Sequence, residues 1–425
     1  MSKTSSKMPR STILVLLLLS AAAQGEDWKI EYGGHTKLRV TGQAYPSESV
    51  FRDVAGSNSI DTGAVLRLKF GAATGRWSFD TDYQLLALHG EGVELGSNPQ
   101  PGAEFFFTVL PDDDRRLFDL THVIDEGGKD ALLHRLDRFS IGYTGAKTVV
   151  RFGRQALSWG NGLFYAPMDL VNPFDPSTID TEYKAGDDLL YVQHLLDNGD
   201  DVQGAWVVRR DLESGDVETD EATIALKYHG FLGEHEIDVL VAEHYGDTVL
   251  GLGGGRSLGG AVWRGDIVAT HTDEDTSVQI VTNLSYSWIW GGRNMSGAIE
   301  YFYNGFGLSS GNYDLPSVSS DPDLFARLAR GELFSIGRHY LAGSVMIEVT
   351  PLWTVTPTML MNVADPSALL QFVTSYSLSD NMSMLASLNL PVGPKGSEFG
   401  GIDTGVPDRY LSGGAGLFAQ FAWYF

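Results

Sequence analysis

From Trp28 onward, apolar side chains recur at every second position, in runs that continue to the last residue. Ile30 and Tyr32, then Thr36, Leu38 and Val40, face one way, while Lys29, Glu31, His35, Lys37 and Arg39 face the other. The same alternation sets Leu66, Leu68 and Phe70 against Arg67 and Lys69. It also sets Val278, Ile280, Leu284, Tyr286, Trp288 and Trp290 against Gln279, Asn283, Ser285 and Ser287. Successive side chains of a strand point to opposite faces, so each run makes a ribbon with one apolar and one polar side. A soluble β-sandwich alternates too, but its strands average about five to six residues and these runs are longer. Trp, Tyr and Phe gather near the ends of the apolar face, as in the aromatic girdles of membrane barrels.

Short turns alternate with long loops. The short ones include Ala73-Thr74-Gly75, Thr144-Gly145-Ala146, Phe231-Leu232-Gly233, Gly291-Gly292-Arg293 and Ser379-Asp380-Asn381; the long ones cover 45–61, 90–136, 159–186, 306–335 and 392–410. The pattern predicts an all-β fold: a single transmembrane antiparallel β-barrel of 16–18 strands, 18 favoured, with short periplasmic turns and long extracellular loops. The alternation is weakest at 201–210 and at 247–256, where Gly251 and Gly253 to Gly255 interrupt it, and without these two segments the count falls to 16.

The first residues suit an exported chain. Lys3, Lys7 and Arg10 precede the apolar run Ile13 to Leu19, and Ala21-Ala22-Ala23 follows, the order of a cleavable signal peptide. The run is shorter than the ~20 residues of a membrane helix. The expected organisation is a signal peptide over 1–23 and an outer-membrane barrel over 24–425. Removing the signal would leave 27 of the 30 Lys and Arg against all 54 Asp and Glu, which disfavours nucleic-acid binding. With no cysteine, disulfides, a lipid-bearing thiol and thiol catalysis are excluded. No HExxH, P-loop or G-x-S-x-G pattern is present, so neither an enzyme nor a metal or cofactor site is expected.

The chain ends FAQFAWYF, with Leu417, Ala419, Phe421, Trp423 and Phe425 on one face. This resembles the C-terminal signature of outer-membrane barrels, a terminal Phe preceded by alternating apolar residues, and implies Phe421, Trp423 and Phe425 as the assembly signal. The stretch VRFGRQALSWGNG, Val150 to Gly162, resembles a motif of porin-like barrels of the alginate-export type. That resemblance implies an eighteen-stranded barrel that passes an anionic polysaccharide; the loop that follows, YAPMDLVNPFDPSTIDTEYKAGDD, departs from it. The implied location is the bacterial outer membrane. The implied partners are outer-membrane lipid and lipopolysaccharide, the barrel-assembly machinery, and a small solute or polysaccharide. Oligomeric state is not legible.

Alternation places Lys37, Arg39, Arg67, Lys69, Arg76, Arg151, Lys227, Arg264 and Arg338 on the inward face as bases, with Asp80, Asp82, Asp238, Asp266, Glu300 and Glu348 as acids. These are the candidate pore-lining residues. Rings of Arg and Lys favour anions, whereas paired charges would only hydrate the interior, and both readings fit. The loop 159–186 is rich in rings and prolines: Trp159, Phe164, Tyr165, Tyr183, Pro167, Pro173 and Pro176. It either folds into the barrel, bringing Asp169, Asn172, Asp175, Asp180 and Glu182 to a constriction, or packs over the rim. In the first case Arg151 and Arg154 are natural partners for Asp169 or Asp175. The functional expectation is a porin-like channel for small polar or anionic solutes; the alternative is a barrel for polysaccharide export or surface assembly with its lumen plugged by loops.

Overall fold

The computed structural model describes residues 28–97, 110–309 and 313–425. Residues 1–27, with the signal peptide expected over 1–23, residues 98–109 of the loop 90–136 and residues 310–312 of the loop 306–335 lie outside the described residues. The wall begins with β1 (Lys29–Ala44), β2 (Asn58–Thr74) and β3 (Trp77–His89), followed by the short β4 (Thr121–Gly127), β5 (Asp130–Thr144) and β6 (Thr148–Gln155). It continues through β7 (Asp187–Leu195), β8 (Asp201–Val207), β9 (Thr223–Leu232), β10 (His235–His244), β11 (Asp247–Leu258) and β12 (Ala261–His271). Next come β13 (Thr276–Trp290), β14 (Arg293–Asn304), β15 (His339–Thr350), β16 (Trp353–Asn362), β17 (Ser367–Ser379) and β18 (Met382–Val392). A two-stranded hairpin, β19 (Ile402–Asp403) with β20 (Tyr410–Leu411), stands apart, and β21 (Gly416–Tyr424) completes the wall.

Each wall strand pairs antiparallel with its neighbours, and β21 pairs with both β18 and β1, closing an 18-strand barrel. The closing register runs from His35 opposite Tyr424 to Gln43 opposite Gly416. The ladder is extended by Phe425, whose N–H donates to the Gly34 carbonyl at 3.0 Å and whose carbonyl accepts from Gly34 N at 2.9 Å. β4 adds to β5 above the short β6, so the stretch read as one loop over 90–136 contains a strand and the start of another. Both weak segments are strands of the wall, 201–207 in β8 and 247–258 in β11.

Leu38, Val40, Leu68, Phe70, Leu250, Leu252, Ile267 and Ile299 are exposed on the outer face although large and apolar. Such a surface is costly in water and suited to lipid. Trp77, Tyr143, Trp263, Tyr286, Trp290, Trp353 and Trp423 lie toward one rim, where the hairpin connections are short. Gly291 and Gly292, at φ 58° and 75°, make one of these turns, a two-residue loop whose positive φ matches the strand twist. The other rim carries the long connections. There Tyr45 and Phe51 from 45–57, Phe306, Tyr313, Leu324, Leu333 and Ile336 from 305–338, and Ile402 and Leu411 from 393–415 bury one another. The helix Pro322–Ala329 within this cap starts at Asp321, whose carboxylate accepts from Leu324 N.

Candidate functional site

The segment 156–186, which joins β6 to β7 at the long-loop rim, turns into the barrel and follows its inner wall. Trp159 Nε1 donates to Gln203 Oε1 on β8 at 2.7 Å. Asn161 then reaches two strands at once: its Nδ2 donates to Asp238 on β10 at 3.0 Å and to Asp266 on β12 at 2.7 Å, and its backbone N–H donates to Asp266 at 2.7 Å. On β14, Glu300 accepts three successive amides, from Leu163 at 2.5 Å, Phe164 at 3.0 Å and Tyr165 at 2.8 Å. Tyr165 stacks on Phe302 with ring centroids 4.6 Å apart, and Phe164 packs against the same cluster.

The return half crosses to the opposite wall. Gln371 Nε2 on β17 donates to the Ser177 carbonyl at 2.8 Å. Lys37 on β1 binds both Asp180 at 2.6 Å and Glu182 at 2.7 Å. The same two carboxylates accept from Gln420 and Tyr424 on β21, so the loop bridges the β1–β21 seam from inside. The Tyr183 ring lies under the Arg67 guanidinium at 4.0 Å and the Lys69 ammonium at 4.5 Å. The segment is thus held by complementary charge: its carboxylates meet bases on β1, and its amide donors meet acids on β10, β12 and β14.

Two glycines make room for it. A Cβ at Gly251 would lie 3.0 Å from Met168 Cε, and one at Gly253 would collide with Asp266 and lie 2.9 Å from Asn161 Nδ2. The glycines that blur the alternation of β11 are the floor on which the inner segment rests. Met168, Trp159, Leu157 and Val171 bury there against Leu189, Leu240, Val249 and Val268 of the wall.

Three of the inward bases, Lys37, Arg67 and Lys227, are neutralised by ion pairs, whereas Arg39, Lys69, Arg151 and Arg338 make none among the described residues. Arg67 binds Asp82 and Asp137, each at 2.8 Å, and Lys227 binds Asp238 at 2.9 Å. Arg338 donates to the Gly307 carbonyl at 2.6 Å, and Arg151 lies over the Tyr191 ring at 5.0 Å. Asp80 sits in the field of Arg151, and Arg39 in that of Asp180 and Asp61. Glu348 accepts from Asn294 on β14 at 2.9 Å. Arg264 makes no ion pair among the described residues. Arg76 is a correction: it occupies the β2–β3 turn, exposed, and donates to the Tyr143 hydroxyl, because the strand ends before it.

A second correction concerns Arg154. It binds Asp188 at 2.9 Å and Asp113 at 2.7 Å, not Asp169 or Asp175, because alternation along β6 puts it on the face opposite Arg151, directly across from Asp188 of β7. Asp169 instead pairs with Lys184 at 2.6 Å across the neck of its own loop. Burial lifts its carboxyl to about 6, with the Lys184 ammonium opposing the rise. Burial also raises Asp175, whose carboxylate accepts from Ser177 N at 2.7 Å. For Asp180, burial is outweighed by Lys37 and Gln420, which hold it below the usual carboxylate range. Asn172, at φ 50°, donates weakly to the Gly186 carbonyl within the loop.

Other groups at the site did not emerge from the alternation. Glu398, in 393–401, is the clearest. Its Oε2 accepts from the Tyr340 hydroxyl and Asn362 Nδ2, both at 2.7 Å, and its Oε1 accepts from Ile336 N at 3.0 Å. Burial pushes this carboxyl up to about 7 against those hydrogen bonds. Nothing local in the sequence marks it. Gln371 and Asn389, by contrast, stand at polar positions of alternating strands and are directly opposite each other.

This architecture is a closed 18-strand antiparallel β-barrel of porin-like fold. The chain is similar in fold to a BenF-like porin from Pseudomonas fluorescens, with 7% identity, 93% of this chain and 98% of that chain covered, and a TM-score of 0.52. It is equally similar to OccAB4 of Acinetobacter baumannii, at 7% identity, 93% and 98% coverage and a TM-score of 0.52. It also resembles Wzi of Escherichia coli, described as a carbohydrate-binding outer-membrane barrel involved in group 1 capsule assembly, at 9% identity, 99% and 89% coverage and a TM-score of 0.50. No protein-family model and no curated protein sequence matches the chain.

Proposed function

We propose that the protein is a non-enzymatic channel of the bacterial outer membrane for small polar solutes, with residues 159–186 as its constriction. The single observation that carries this reading is the path of that segment, inside an 18-strand barrel and tied to opposite walls at Asp238 and Lys37. A barrel of this size is wide enough for an aqueous lumen, and an inward loop narrows it. Lys37, Arg67 and Lys227 are spent on neighbouring carboxylates, while Arg39, Lys69, Arg151 and Arg264 make no ion pair among the described residues, so the lumen carries charge of both signs. In this reading Phe421, Trp423 and Phe425 are engaged by the barrel-assembly machinery, and the outer apolar belt meets lipid and lipopolysaccharide. A cleaved signal over 1–23 would bring the chain there. The test is single-channel recording in planar bilayers: wild-type protein gives stable open steps, and deleting 163–182 raises conductance at least about twofold with the barrel still folded. Unchanged conductance in the deletion would place the constriction elsewhere.

A second reading has its own support. The apolar cap built from 45–57, 305–338 and 393–415 covers part of the long-loop rim. It suits a barrel that handles polysaccharide with a closed lumen, and Wzi, similar in fold, carries the description carbohydrate binding. Electrical silence of the wild type would favour this reading.

A further inference from the structure

Between the returning half of the inner segment and the wall of β16 to β18 lies a cavity of about 330 Å³. That is within the about 300–1,000 Å³ of small-molecule sites. Its sides include the rings of Tyr165, Phe334 and Phe399, and its polar groups include the amides Gln43, Gln371 and Asn389, with the carboxylates Asp175 and Glu398 at its edge. Among the described residues no Lys or Arg lines it. Gln371 uses Nε2 on the Ser177 carbonyl, and across the strand pair the buried Oδ1 of Asn389 finds no protein partner. A buried amide oxygen left in this way costs stability unless something donates to it.

We propose that this cavity is a binding subsite for one uncharged sugar residue, stacked on the rings and hydrogen-bonded by Asn389 and Gln371. Sugars offer just this pair of surfaces, a C–H face for aromatic packing and hydroxyls that both donate and accept. An anionic sugar meets no base here and two carboxylates instead. A cation is disfavoured as well, since both oxygens of Glu398 are occupied by Tyr340, Asn362 and Ile336. The raised carboxyl of Glu398, near 7 through burial, further dilutes negative charge. The inference deepens the channel reading by naming its solute class, and it rests on that reading for access along the lumen.

Equilibrium binding to the full chain folded in detergent, followed by calorimetry and by saturation-transfer NMR, separates the two ideas because neither method needs conduction. The probes are glucose, galactose, maltose and sucrose, with glucuronate and glucosamine as charged counterparts. At least one neutral sugar binds saturably and more tightly than both charged probes. Asn389→Leu and Phe334→Ala each weaken that binding by about tenfold, with heat-modifiable mobility retained. Phe334 is 40% exposed, so its truncation leaves folding intact and serves where Asn389→Leu does not fold. The proposal falls if no neutral sugar binds, if glucosamine or glucuronate binds as well as the neutral sugars, or if Phe334→Ala leaves affinity unchanged. Binding without open steps in a bilayer would sink the channel reading and leave the subsite standing.

Discussion

Glu300 accepts three consecutive backbone donors of the inner segment, from Leu163, Phe164 and Tyr165. Truncating it leaves those N–H groups without an acceptor in a buried place, and bonds to a charged group are worth about 1.5–3 kcal/mol each. In Glu300→Ala, hydrogen-exchange protection of Leu163 to Tyr165 should therefore fall by about tenfold or more, while wall amides stay protected. Lys37 plays the matching part on the other wall. Lys37→Met strands Asp180 and Glu182, whose side chains are 26% and 35% exposed. Partial hydration keeps the loss near about 1–3 kcal/mol, below the about 3–5 kcal/mol of a fully buried pair. The variant should unfold at a lower temperature in a heat-modifiability assay, since the same carboxylates also brace β21 through Gln420 and Tyr424.

At the scale of elements, the cap and the wall clip respond oppositely to acid. Glu398 has a folded pKa raised to about 7 from an ordinary 4.5, so the folded cap holds a proton that the unfolded chain has released. Its contribution to stability is present below about 4.5 and is lost as pH rises toward 7. Asp180 is depressed instead, so the clip is strongest above the ordinary carboxylate range and weakens as pH falls below it. Hydrogen exchange of residues 393–401 should accelerate between pH 5 and 7 beyond its intrinsic chemical rate, and Glu398→Gln should abolish that excess. The stretch of the inner segment clipped to β1, residues 180–182, should show no such change in that window, whereas the Asp169–Lys184 neck, with its carboxyl raised to about 6, should loosen as pH rises toward 6.

For the whole molecule, closure is the decisive event. The β1–β21 seam joins residues nearly 400 positions apart, from His35 opposite Tyr424 to Gln43 opposite Gly416. Phe425 adds two backbone hydrogen bonds to Gly34, and its ring packs 3.1 Å from where a Cβ of Gly34 would lie. Deleting Phe425, or placing Asp at Trp423 and Phe425, removes the end of the seam and puts charge on the lipid face near a rim, where it costs up to about 1 kcal/mol per residue. Assembly yield, read as the fraction of heat-modifiable barrel in membranes, should drop severalfold.

What the sequence determines by itself is the wall. A period of two reports, position by position, which side of a strand meets lipid, so Leu38 and Val40 out and Lys37 and Arg39 in were legible without a structure. The hairpin turns were legible for the same local reason, down to Gly291-Gly292. The rings and prolines of 159–186 singled out the segment but left open whether it enters the barrel. Its course is a tertiary fact, because Glu300, Lys37 and Tyr165 become neighbours only once the barrel has closed around them. Charge pairing is equally non-local. Arg154 meets Asp188, directly across on β7, and Asp113 rather than Asp169 because it lies on the face opposite Arg151, and Asp169 found Lys184 across the loop's own neck. The glycines of β11 looked like a defect in a strand, and the fold gives them a purpose: a ribbon's periodicity carries no information about what will later lie against it, whereas a bare backbone at Gly251 and Gly253 is what lets Met168 and Asn161 come close.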